Sequence, residues 1–245
     1  MFPYLSSHPL TCALFAAVIF AANVLQVLTG FAGVMLSLPA GILLVGPDMA
    51  KASINVLSWI VNAAVAWQNR QYLDRRELMR IIFFMAFGTA AGIALYGAAD
   101  PALLIPCYGA LIIAVALKNL LLSPPSGAFP KWAALPVLFG AGVIHGLFVS
   151  GGTLLVIYLA AVFRDKHRFR ANASAVWVAL NLFLMVSDYE KGLYNGEFLT
   201  LTVLSLPALA AALLAGNAIH DRIDQKLFDR LTYGLLVIAG TMILL

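Results

Sequence analysis

Few side chains in these 245 residues could do chemistry, and most of them flank two glycine-rich breaks. One break is Gly30-Phe31-Ala32-Gly33 and the other is Ser150-Gly151-Gly152. Each lies inside a long apolar run, where a break frees backbone N–H and C=O groups that lipid cannot satisfy. The half-helix that starts after Gly33, and the one after Gly152, each turns an N-terminus and its positive dipole end toward its break. Two such ends facing each other would hold an anion without a buried formal charge. The candidate substrate-binding residues are therefore Gln26, Gly30, Gly33, Ser53 and Asn62 around the first break. Around the second they are His145, Ser150, Gly151, Gly152, Thr153, Asn172 and Asn181. His145 is the only titratable side chain expected at mid-membrane; it could donate to an anion or carry a proton, which makes it the proton-coupling candidate.

Other chemistries are poorly served. His145 and Ser150 could be cast as base and nucleophile of an intramembrane hydrolase. Five apart, they share a helix face badly, VSGG is not a G-x-S-x-G elbow, and no orienting acid is near. No catalytic residue, metal site or cofactor is expected. All eleven carboxylates fall in loops or at segment ends, which argues against a cation as substrate and against the usual carboxylate proton relay. Cys12 and Cys107 sit in apolar runs and read as small buried hydrophobes. Gly88 with Gly92, and Gly142 with Gly146, read as small-residue packing stripes.

The elements that position these residues are membrane segments. Apolar and aromatic residues make up 62% of the chain and charged residues only 11%, where a soluble domain carries about 25% charged. A soluble enzyme, a nucleic-acid binder and a disordered scaffold are excluded on that ground. Residues 9–47, 52–69, 81–99, 101–117, 171–187, 198–219 and 231–245 are uncharged, and 132–163 carry only His145. The two longest runs each hold two passes, which makes ten apolar segments. Two of them, 34–46 and 153–163, are short enough to be half-helices or re-entrant pieces. Alternating sides at each segment puts thirteen Lys and Arg on one side and only Lys51 and Lys191 on the other. By the positive-inside rule both termini then lie outside a cytoplasmic (inner) membrane. Lys51 and Arg170 could recruit anions at the two mouths or simply anchor helix ends by snorkelling.

A shift of 119 residues superposes the two halves: Gly33 falls on Gly152, Lys51 on Arg170, Ala52 on Ala171, Asn62 on Asn181 and Gly97 on Gly216. Five segments per half require the second half to enter the membrane upside down. The basic 70–80 loop opposite its acidic partner 189–197 agrees. The expected fold is an all-α membrane protein of two inverted-topology repeats, 1–125 and 126–245. Their glycine-broken half-helices meet at the midplane, which is secondary-transporter architecture. The stripes Gly88–Gly92 and Ala208–Ala212–Gly216 could pack within the chain or build a homo-oligomer.

These residues resemble the TauE/SafE sulfite exporter family. That family carries, in each half, a GxxxGxGG-like turn, an apolar half-helix often with a proline, an A-x-G-T-S-like helix start and a later Asn. Here the first half reads TGFAGVMLSLP at Thr29–Pro39, AKASIN at Ala50–Asn55, then Asn62. The second reads HGLFVSGGTLLV at His145–Val156, FRANAS at Phe169–Ser174, then Asn181. Ala32 and Ser150 stand where glycines are common. The resemblance implies a permease, not an enzyme, for a small anion, either a sulfur oxyanion or an organosulfonate. Its partners are that anion and the lipid bilayer. An anion channel on the same fold is the alternative.

Overall fold

The computed structural model describes residues 4, 7–29, 32–121, 131–163 and 165–220, with six scattered positions between 234 and 244. Among these there are helices and turns and no strand. The helices are α1 (Pro9–Thr29), α2 (Ala32–Val45), α3 (Pro47–Gln68), α4 (Arg75–Ala98), α5 (Pro101–Leu121), α6 (Lys131–Phe148), α7 (Gly152–Val162), α8 (Lys166–Glu190) and α9 (Gly196–His220). A 3₁₀ turn, Arg70–Tyr72, leads from α3 toward α4. Five helices are long and apolar enough to cross a membrane: α1, α3, α4, α8 and α9. The expected half-helices appear as α2, with 14 residues, and α7, with 11. The tenth segment, 231–245, lies largely outside the described residues.

Local signals in the chain set the helix ends. Pro47 opens α3 and Asp48 occupies its first turn, the residue types that a helix N-terminus favours. Asp74 caps α4 by accepting from the Glu77 N–H, 3.2 Å away. Asp165 caps α8 by accepting from the Arg168 N–H at 2.8 Å. These carboxylates stand at aqueous ends. The starts of α2 and α7 lack a carboxylate, because they lie among apolar segments.

Side-chain volume decides which helices touch. A Cβ on Gly88 of α4 would lie 2.1 Å from the Phe139 carbonyl oxygen of α6, and one on Gly146 of α6 would lie 2.3 Å from the Thr89 oxygen. Only glycine allows that approach, in which backbone packs on backbone. α9 lies against α1 in the same manner, with Gly216 facing Val27 and Val24. The glycines of both stripes are therefore used inside the chain. α3 packs on α8, and the Trp59 indole N–H donates to the Val178 carbonyl at 3.1 Å.

Two apolar clusters result. One joins α1, α2, α3, α5 and α9 around Phe15, Leu57, Tyr108 and Ile112. The other joins α4, α6, α7 and α8 around Met85, Leu138, Leu159 and Leu180. Phe83, Phe87, Leu103 and Leu214 are exposed, as side chains turned toward lipid would be. Cys12 is buried as expected, but Cys107 is exposed. It falls on an outward face of α5, where a small thiol costs nothing in an apolar surrounding.

Candidate functional site

A small cavity opens where the two clusters meet. It is lined by Gln26, Val34, Ser58, His145, Val149, Ser150, Gly152, Trp177 and Asn181, so residues from both ends of the chain build it. Its volume is about 10 Å³, the room of about one water molecule.

The wall from the first half is a closed hydrogen-bond chain. Gly33 N–H donates to Gln26 Oε1 at 2.8 Å. Gln26 Nε2 donates to Asn62 Oδ1 at 3.2 Å. Asn62 Nδ2 donates to the Ser58 carbonyl at 2.9 Å and lies 3.0 Å from Ser58 Oγ. The first turn of α2 is thus capped by an amide oxygen from α1. Gly33 is needed for this closeness, since a Cβ there would come 2.5 Å from Gln26 Cβ.

The wall from the second half is open-handed. The N-cap of α7 is Gly151, which has no side chain to offer its first turn. Among the described residues, both ring nitrogens of His145, Ser150 Oγ and Asn181 Oδ1 are buried without a hydrogen-bond partner. His145 is 1% exposed and its ring lies 5.1 Å from that of Trp177. Gly151 presses on α6, where a Cβ would lie 2.1 Å from the Ala141 carbonyl oxygen. Val149 has φ 54, a left-handed conformation rare for a β-branched residue. Strain of this kind persists where the surroundings over-determine it, and functional sites are where it collects.

Of the residues picked from the sequence, Gln26, His145, Ser150, Gly152 and Asn181 line the cavity, and Gly33, Asn62 and Gly151 support its walls. Ser53 is fully buried in α3 with its hydroxyl unpartnered, away from the lining. Asn172 is engaged at the far end of α8. Its Oδ1 accepts from Asp74 N–H at 3.0 Å, and its Nδ2 donates to the Arg168 carbonyl at 2.8 Å and the Tyr72 carbonyl at 3.2 Å. That makes it a fastener of the loop before α4. Gly30 and the Thr153 side chain lie outside the described residues.

Sequence reasoning passed over three residues here. Ser58 and Trp177 line the cavity, and a shift of 119 places one on the other. Tyr108 is fully buried, stacks on Phe148 at 4.4 Å and keeps an unpartnered hydroxyl beside Ser150. It stands apart in α5, whose other polar residues, Lys118 and Asn119, fall in the last turn.

The two basic helix starts are buried as well. Lys51 is 4% exposed, and its Nζ donates to the Gly146 carbonyl at 2.9 Å while sitting 3.8 Å from the centre of the Tyr96 ring. Arg170 is 8% exposed and donates to Asn217 Oδ1 at 3.0 Å. Neither reaches out to an interface as a snorkelling side chain would. Asp188 is one of the carboxylates expected in loops or at segment ends. It does lie in the last turn of α8, but it is 2% exposed, because α3 and the loop after α8 cover it. Among the described residues no group of three His, Cys, Asp or Glu could hold a metal ion.

Comparison with curated proteins and with solved structures finds no match. The sulfite exporter TauE/SafE family model matches residues 14–243, which takes in both breaks, all nine helices named above and the cavity between them. With nearly the whole length matched and a multi-pass helical fold to carry it, the chain belongs to the TauE/SafE sulfite exporter family.

Proposed function

We propose that this protein is a secondary transporter for a small sulfur-containing anion, a sulfur oxyanion or an organosulfonate, working by alternating access around the cavity between α2 and α7. The observation that carries the reading is the second wall. His145, Ser150 and Asn181 offer buried polar atoms with no partner, at the uncapped start of a half-helix, and no carboxylate lines the cavity. Such a wall is hospitable to an anion and lacks the buried acid that a cation requires. The first wall contributes size and shape, since Gln26 already occupies the Gly33 N–H.

The helix pairings support two inverted halves, 1–125 and 126–245. The fourth helix of one half, α4, packs on the first of the other, α6. In return α9 packs on α1, while α3 and α8 face each other. Reciprocal pairing of this kind is what a two-fold relation between the halves would give. The closed cavity favours a carrier over a channel, because a channel needs a continuous wet path and a carrier needs an occluded state.

The test is thermal unfolding of the detergent-purified protein with sulfite, thiosulfate, sulfate, alkyl sulfonates, carboxylates, phosphate and chloride, followed by counterflow of the best anion in proteoliposomes. A specific ligand stabilises by about 2.7 kcal/mol at a hundred times its dissociation constant. The expected result is that a sulfur anion raises the midpoint and exchanges across the bilayer. Stabilisation by carboxylates or chloride alone would remove the sulfur assignment, and conduction without counterflow would turn the reading to a channel.

A further inference from the structure

Asp188 belongs to no wall of the cavity, yet it is one of the most deeply buried charged residues described, at 2% exposure, and its Oδ2 has no hydrogen-bond partner. An ionisable group kept inside a membrane segment needs a reason, since desolvation is costly and a partner only partly offsets it. The charged groups facing it are Lys51 and Asp48 from the start of α3 and Lys191 from the loop beyond α8. Tyr194 of that loop and the Asn55 amide of α3 also approach it. Tyr96 of α4 completes the cluster. Its hydroxyl donates to Asp48 Oδ1 at 2.7 Å, and its ring carries Lys51 Nζ at 3.8 Å and Lys191 Nζ at 5.1 Å. Two cations and two carboxylates balance. Asp48 is exposed and already accepts a hydrogen bond, whereas Asp188 is enclosed and has a free oxygen.

The cluster is wired to the cavity. Asn55 lies four residues after Lys51, on the same face of α3. Asn55 Nδ2 donates to the Asn181 carbonyl at 3.2 Å, and Asn181 Nδ2 approaches the Asn55 carbonyl at 3.5 Å. Asn181 lines the cavity beside His145. It precedes Asp188 by seven residues on α8, about 10 Å along one face. The opposite end of the molecule is built differently. The shift of 119 that puts Arg170 on Lys51 puts neutral Asn69 on Asp188, and Arg170 meets the neutral Asn217 amide.

We propose that Asp188 is the proton-binding residue of the transport cycle. A proton added to its carboxylate, with no bond broken and no electron moved, leaves Lys51 and Lys191 facing Asp48 alone. The cluster then carries one net positive charge at the mouth of the path to the cavity. An anion is drawn in with the proton and the pair moves together; when the proton leaves, the restored carboxylate expels the anion. The inference rests on the transporter reading and deepens it. It places coupling on Asp188 rather than on His145, because Asp188 faces two lysines and a second carboxylate whose charge balance a proton would tip, whereas the charged group facing His145 is Lys51 alone among the described residues.

The test uses the full chain in proteoliposomes with labelled thiosulfate and methanesulfonate, whose charges do not change across the pH range used. Two readouts are taken: accumulation driven by a proton gradient, and counterflow with no gradient. With the membrane potential held at zero, the wild type should accumulate each anion about tenfold per pH unit of gradient for one proton carried per anion. Asp188→Asn should abolish accumulation while counterflow persists at a rate independent of pH. His145→Gln should slow counterflow but leave its pH profile in place. Gradient-driven accumulation by Asp188→Asn, a pH profile lost only in His145→Gln, or loss of both readouts in a folded Asp188→Asn would each overturn the proposal. If Asp188→Asn does not fold, Asp188→Glu decides: a retained but displaced pH profile supports it and an unchanged or absent one refutes it. Failure of the wild type to exchange either anion would instead strike the transporter reading itself.

Discussion

His145, Ser150 and Gln26 show how one residue type can be read only with its neighbours. Gln26 and His145 are related by the 119-residue shift, yet one is tied into a chain of bonds to Gly33 and Asn62 and the other has both ring nitrogens unpartnered. Three predictions belong at this scale. Gln26→Leu strands the buried Gly33 N–H and should cost about 1–3 kcal/mol, read as a lowered midpoint in detergent. Gln26→Glu keeps the acceptor for the Gly33 N–H but buries a carboxylate in the cavity wall; the unliganded midpoint is expected to fall and anion-induced stabilisation to vanish. Retained anion binding in that variant would count against the cavity as the site. Gly151→Ala meets a backbone oxygen at 2.1 Å and should both destabilise and abolish binding, whereas Gly97→Ala, with nothing within 4 Å, should do neither. Melting curves with and without anion distinguish the three.

Helices in lipid gain little from apolar burial, so close packing must hold them together. The α4–α6 pair does this through Gly88 and Gly92 against Gly142 and Gly146. Gly88→Val would put branched carbons into the Phe139 carbonyl and is expected to cost at least about 1–3 kcal/mol. The measurement is the fraction of monodisperse protein recovered in detergent and its midpoint. Gly140→Val is the comparison, because its Cβ would meet only the flexible end of Leu154 at 3.3 Å. Equal loss in both variants would mean that the crossing does not depend on glycine. The half-helices α2 and α7 make a different point: at 14 and 11 residues they are too short to cross alone. Their starts must lie within the protein, and α1, α3, α6 and α8 are what surround them.

For the whole molecule the deciding quantity is the cavity volume of about 10 Å³. That holds about one water and no sulfur oxyanion, so the proposed transport requires a second, wider arrangement of the same walls. A Ser150→Cys variant in a Cys107→Ser background should react slowly with a membrane-impermeant thiol reagent, and a transported anion should change that rate. A fast rate indifferent to every anion would contradict a carrier that closes around Ser150. Cys12 does not interfere, because it is buried.

Membrane class and the two short half-helices were legible in the sequence. Each rests on a local rule, because hydropathy, charge placement and chain-breaking residues act over one segment. The family resemblance was legible for the same reason, through motifs contiguous in the chain. What tertiary structure decided is which polar residues meet. Asn172 fastens a loop, while Ser58 and Trp177 line the cavity and Tyr108 stands behind Ser150. Gln26 neutralises one half-helix start and leaves the other bare. Lys51 and Asp188, 137 positions apart, are buried within reach of each other's charge. A periodicity cannot foresee that, because burial of a helix-end charge depends on what packs over it, and here the covering helices come from the opposite half of the chain.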